Sequence, residues 1–141
     1  MHQKPKVQLD VQVHWSDMDA MQHVNNIIYL KWVESTRLLL LEELMEKGTA
    51  GAVEISPILA WSDIKYIAPV TYPDTVRVTF DIVKLEEDRL HGIAHLYSTK
   101  QDRLVAISNN TLKAYNMRLL KRAAIPTRWV ERLREHYGDS I

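Results

Sequence analysis

The chain has 141 residues, with 18 Lys and Arg against 18 Asp and Glu for a formal net charge of zero. That length suits one domain, which should bury about 68% of the surface its unfolded chain exposes and so build a core without staples. No cysteine is present, which excludes disulfides, thiolate nucleophiles and Cys-type zinc sites and fits a reducing compartment, while balanced charge without a block of like sign argues against a nucleic-acid binder.

The first residues, Met1-His2-Gln3-Lys4-Pro5-Lys6, lack the apolar stretch of a signal peptide, and no uncharged run of roughly 18 residues could span a membrane. A soluble, cytoplasmic protein is expected. Val7, Leu9, Val11 and Val13 then alternate with Gln8, Asp10, Gln12 and His14, the two-residue period of a half-buried strand over 7–14. Next comes Asp17-Met18-Asp19-Ala20-Met21-Gln22-His23-Val24-Asn25-Asn26. It places two carboxylates, an imidazole and two carboxamides directly before a helix start, whose unpaired N–H groups favour developing negative charge. A carboxylate facing an oxyanion site suggests acyl chemistry.

Residues 27–47 carry apolar side chains at helical spacings with no Pro or Gly, and Gly48 supplies the stop. The apolar positions occupy far more than one stripe, so this helix should be covered on most sides and form the core. Four stretches rich in Val, Ile, Thr and Tyr follow at 54–67, 75–86, 89–99 and 103–116, with Glu86-Glu87-Asp88 and Lys100-Gln101-Asp102 as polar hairpin tips. The order β, long α, then four β rules out a parallel βαβ sheet. It predicts an α+β fold, one curved five-stranded antiparallel sheet wrapped around one long central helix. A short last helix is expected from Pro126 and Thr127 to Tyr137, with Trp129, Val130 and Leu133 on one side. With no repeat or linker, residues 1–141 read as a single domain.

Several of these pieces resemble a known family. Trp15-Ser16-Asp17-Met18-Asp19, Gln22-His23-Val24-Asn25-Asn26, and Tyr29, Trp32 and Glu34 on the helix are similar to the hotdog-fold thioesterases of the 4-hydroxybenzoyl-CoA thioesterase type. Ile64-Lys65-Tyr66 with Pro69, Asp74-Thr75-Val76 and Ile125-Pro126 carry the resemblance onward, over about residues 7–126. The His-Val-Asn-Asn form also resembles acyl-carrier-protein and long-chain acyl-CoA thioesterases. Pro73 stands where the family has Gly before the Asp, a departure that affects a turn more than the chemistry.

The resemblance implies a thioesterase acting on acyl-CoA or acyl-carrier-protein, without a cofactor, assembled as a homodimer or homotetramer with the acyl site between subunits. It makes Asp19, four residues before His23, the catalytic carboxylate, either as nucleophile or as general base. His23, Val24, Asn25, Asn26, Tyr29 and Glu34 are the candidate substrate-binding residues. A thiol pKa near 8.5 makes the thiolate a good leaving group, so no Ser-His-Asp triad is required.

Plainer readings stand beside these. Asp19 could be a turn or helix-entry residue and Asp17 could hold the loop through local hydrogen bonds. His23 could cap or pack, Asn25 and Asn26 could cap the helix, and Tyr29 could be a core aromatic. Glu34 could pair with Arg37 one turn on, or point into a partner's site as a helix-borne Glu does in some hotdog relatives. No metal is expected, because the spacing of His14, Asp17, Asp19 and His23 matches no well-defined ligand set. His91 and His95 would lie roughly 13 Å apart along a strand, too far to share an ion. Arg118, Lys121 and Arg122 either meet the phosphates of coenzyme A or of a carrier protein, or are a solvated strand exit. Two rival functions are a noncatalytic acyl-thioester binding domain, which needs no Asp19, and a hotdog dehydratase or hydratase, which uses a His and an acid.

Overall fold

Alternation of buried side chains with half-buried or exposed ones along two neighbouring strands sets the sheet. In the computed structural model, which describes residues 5–45 and 54–141, β4 (Thr75–Leu85) and β5 (Arg89–Ser98) point Val76, Val78, Phe80 and Ile82, and Leu90, Ala94 and Leu96, to one apolar face. β1 (Val7–Gln12) flanks them on one side and β6 (Arg103–Asn116) on the other, with β2 (Ile55–Ser62) as the far edge. The five long strands run antiparallel in the order β1-β4-β5-β6-β2.

Two further strands of two residues, β3 (Lys65–Tyr66) and β7 (Lys121–Arg122), both pair with β6. The expected strand over 54–67 is therefore divided. Asp63 ends β2, its N–H donating to Asn109 O at 3.0 Å while its Oδ1 accepts from Asn109 N–H at 2.9 Å. The ladder shifts register at Leu59/Trp61, Ile82/Lys84 and Leu96/Tyr97, and such extra residues bend a strand and strengthen its twist. The result is a curved half-barrel.

The helix α1 (Asn26–Leu44) is 19 residues long. It lays Tyr29, Trp32, Val33, Leu40, Leu41 and Leu44 on the concave face, while Ile27, Leu30, Leu38 and Leu39 on its other side are 36–63% exposed. Within one chain the sheet thus covers the helix along one flank, and the expectation of cover on most sides is not met. An apolar surface signals a need for cover without saying which molecule supplies it. The predicted helix stop at Gly48 lies outside the described residues.

The second helix, α2 (Thr127–Tyr137), buries Trp129, Leu133 and Tyr137, and Gly138 with φ 65° ends it. Arg132 Nη1 donates to Glu43 O and Leu44 O at 2.6 and 3.2 Å, which satisfies carbonyls that the end of α1 leaves open. The Tyr137 hydroxyl donates to Asp81 Oδ1 at 2.9 Å and accepts from Ile82 N–H at 3.1 Å, so α2 is fastened to β4. Among the described residues no helix is long and apolar enough to cross a membrane.

Candidate active site

Between β1 and α1 the chain folds back on itself. A 3-10 turn at Trp15–Asp17 is closed by Asp17 Oδ2, which accepts from His14 N–H at 2.8 Å. Residues 17–25 then form a miniature hairpin. Asn25 N–H donates to Asp17 O (2.9 Å), Met18 bridges Val24, Asp19 N–H donates to His23 O (3.0 Å), and Gln22 N–H donates to Asp19 O (2.9 Å). Gln22 takes the left-handed conformation, φ 61°, that the tight turn requires. Asp17 is thereby a loop-holding residue.

Asp19 sits in this hairpin with its side chain exposed. Its Oδ1 accepts from Met21 N–H at 2.9 Å. Its Oδ2 has no donor among the described residues, so the carboxylate keeps lone pairs for a substrate or a water.

The backbone donors at the helix start are nearly all committed. Val24 N–H goes to Val70 O (2.8 Å), Asn25 N–H to Asp17 O, and Ile28 N–H to Asn25 O (2.9 Å). Ile27 N–H goes to the side chain of Asn25, the N-cap, at 3.1 Å. Over residues 24–28 this leaves the N–H of Asn26 open. The two adjacent asparagines therefore differ: Asn25 is structural, while Asn26 offers the donor that the helix start makes available to negative charge.

His23, Val24, Asn26 and Tyr29 come together. With Tyr66 and residues 67–69 they line a depression of 240 Å³. Tyr29 is buried, edge-on to Tyr66 with ring centroids 5.0 Å apart; burial pushes its hydroxyl above the ordinary tyrosine value, against the opposing effect of the Val70 backbone. Asp19 opens on a separate depression of 450 Å³ lined with Trp15, Met18, Ala20 and Gln22. Glu34 lines neither and is exposed two turns along α1. Of the two alternatives open for Glu34, pairing with Arg37 is not seen among the described residues: Arg37 Nη1 donates instead to Asn110 Oδ1 at 2.7 Å, in a buried contact. Burial lowers the Arg37 pKa, and the Glu34 charge works the other way.

Tyr66 is the lining residue that residue chemistry alone did not single out. Its hydroxyl donates to Asn26 O at 3.0 Å from forty residues away, and the only sequence signal was the Ile64-Lys65-Tyr66 stretch of the family resemblance. Other clusters stay apart from the site. Among the described residues no group of three or more His, Asp or Glu side chains is placed to hold a metal ion. Thr111, His91 and Glu86 do line up in the order nucleophile, base, acid, at 3.3 and 2.7 Å. His91 and Thr111 stand opposite each other on paired strands, with Glu86 in the β4–β5 turn, and the ladder there takes up the amides an oxyanion would need. Arg118 and Lys121–Arg122 lie around the β6–β7 turn and line neither depression.

Comparison with known proteins bears directly on this arrangement. No curated protein sequence matches the chain. A thioesterase from Thermus thermophilus complexed with coenzyme A and Zn superposes with a TM-score of 0.83 at 21% identity, over 97% of this chain and 98% of that one. A Staphylococcus aureus protein in complex with CoA gives 0.87 at 12% identity, over 100% and 90%. A 1,4-dihydroxy-2-naphthoyl-CoA thioesterase from Synechocystis gives 0.78 at 16% identity, over 90% and 94%. These likenesses establish the hotdog architecture. Residues 13–133, from the end of β1 well into α2, match the thioesterase-like superfamily, and the chain belongs to that family of thioester hydrolases.

Proposed function

We propose that the protein hydrolyses acyl-CoA thioesters, with Asp19 driving attack and the Asn26 N–H receiving the charge that develops on the carbonyl oxygen. The observation that carries this reading is the nearness along the chain of a carboxylate with an unused oxygen, in the hairpin, to the one uncommitted N–H of residues 24–28, that of Asn26 in the helix turn the hairpin feeds. As general base, Asp19 takes a proton from water while the water oxygen bonds to the carbonyl carbon; the C–S bond then breaks and the thiolate leaves with that proton. As nucleophile, it forms an acyl anhydride as the thiolate departs, and water cleaves the anhydride in a second step. Both routes pass through an oxyanion that a preorganised N–H stabilises.

His23, Val24, Asn26 and Tyr29 form the substrate wall in this reading, with Asn25 holding the turn behind them. Coenzyme A is favoured over a carrier protein by the CoA complexes of the T. thermophilus and S. aureus structures of the same fold. A second copy of the chain completes the site. The 240 Å³ depression is small beside the roughly 300–1,000 Å³ of typical ligand pockets, and Leu30, Leu38 and Glu34 on the uncovered flank of α1 are free to meet a partner. Two-fold dimers are the commonest such solution. Light scattering should give at least twice 16.4 kDa; an active monomer at low micromolar concentration overturns the shared site.

The decisive assay is thiol release from a panel of acyl-CoAs and acyl-carrier-proteins. Turnover that is lost in Asp19→Asn supports the proposal. A folded protein that binds acyl-CoA and releases no thiol is a binding domain, and one that consumes an enoyl or hydroxyacyl group without thiol release is a hydratase or dehydratase.

A further inference from the structure

The β3 strand reaches the first turn of α1 through Tyr66, whose hydroxyl meets the Asn26 carbonyl. It is short, yet firmly seated: Lys65 and Tyr66 pair with Ile107 and Ala106. Val105, the extra residue at the β6 bulge, turns its carbonyl to accept from Ile67 N–H and Ala68 N–H at 2.8 and 3.2 Å. From this seat the Tyr66 ring stands edge-on to Tyr29, at 87°, and its hydroxyl donates to Asn26 O at 3.0 Å. That oxygen belongs to the peptide whose N–H, on Ile27, is held by Asn25 Oδ1 at 3.1 Å. The peptide following Asn26 is thus gripped at its oxygen and at its nitrogen, and the preceding peptide, which bears the Asn26 N–H, is held at its own oxygen, Asn25 O, by Ile28 N–H at 2.9 Å, so both peptides that meet at the Asn26 Cα are fastened. First turns otherwise have the fewest hydrogen bonds in a helix.

We infer that Tyr66 is a positioning residue: by binding the Asn26 carbonyl it holds the Asn26 N–H on the line of the thioester carbonyl. This rests on the reading of Asn26 as the oxyanion donor. Partial burial pushes the Tyr66 hydroxyl above its ordinary value, so it remains protonated, and a donor, throughout the neutral range. The contact is to backbone, not to substrate, so its loss should appear in the transition state rather than in ground-state binding.

Tyr66→Phe keeps the ring against Tyr29 and removes the hydroxyl. Loss of a whole oxyanion donor costs about 10²- to 10³-fold in kcat. A donor left in place but less well aimed should cost about tenfold, with KM near wild type. A second readout is the carbonyl stretch of a bound dethia acyl-CoA analogue, in which CH2 replaces the thioester sulfur. The stretch should fall below its free value on wild-type protein and return part of the way on Tyr66→Phe. Incorporation of 3-fluorotyrosine at position 66, a stronger donor of nearly the same shape, should lower the stretch further and keeps the test open if the Phe variant folds poorly. A lowered stretch in wild type that neither substitution moves, or an unchanged kcat in Tyr66→Phe, overturns the role of Tyr66 alone. No lowering in wild type overturns the Asn26 donor itself, and Tyr66's role with it.

Discussion

Asp19 and Asp74 are both aspartates beside a turn, and their surroundings make them opposites. Asp74 is buried; one oxygen accepts from the Ser98 hydroxyl, the other from Lys100 N–H at 3.0 Å, and its backbone carbonyl accepts from Val13 N–H at 2.9 Å. It fastens the start of β4 to the β5–β6 turn and to the end of β1. Asp19 is exposed and has a single backbone N–H on one oxygen. Residue type does not separate the two; the hydrogen-bonding capacity left unused on Asp19 does, and the catalytic role proposed for it rests on that.

Exchanging the two side chains for neutral ones should separate activity from stability. Asp19→Asn should lower turnover by about 10²- to 10⁴-fold, the scale of a lost general base, with its urea midpoint unchanged. Wild-type-like turnover in that variant sinks the assignment, and loss of all activity in Glu34→Gln instead would move the acid to the helix. Asp17→Asn should cost much less, since an amide oxygen can still accept from His14 N–H. Asp74→Ala should do the reverse of Asp19→Asn. It strands a buried hydroxyl and a backbone N–H, and denaturant titration should show a loss of about 3 kcal/mol with kcat per folded molecule retained.

The smallest expected effect carries the same contrast over to hydroxyls. Tyr137 has both its donor and acceptor roles filled, and burial pushes its pKa well above 10.0. An unfolded tyrosine ionises from its ordinary value upward while the folded one resists, so the stability Tyr137 contributes is complete below pH 10 and is lost as pH rises from there through the folded value. Tyr137→Phe should cost about 1 kcal/mol near pH 8. The gap between wild type and variant should narrow near pH 11; a gap of constant size would show that the hydroxyl does not titrate as described.

Much of this was legible in the residues. Alternation over β4 and β5 follows directly from one buried face, and Asn25 marked the helix start because short polar side chains satisfy the first N–H groups. What could not be read depends on distant partners. The division of 54–67 into β2 and β3 is fixed by Asp63 meeting Asn109, and β7 is too short to show a period. Asn25 and Asn26 are chemically identical, so only the cap geometry reveals which one leaves its N–H open. Asp19 was singled out by its setting and the family resemblance, and its catalytic role is proposed, whereas the Tyr66–Asn26 contact is one that no local pattern encodes.

The closed hairpin at 17–25 has one more consequence, in the thermodynamics of encounter. Its cross-links are made by the chain itself, so the segment bearing the carboxylate is already in its working shape before any ligand arrives. Binding then incurs little ordering entropy in this loop. Association should be a single concentration-dependent step with no slower rearrangement after it, and the Asn25 and Asp19 amides should resist hydrogen exchange equally with and without CoA.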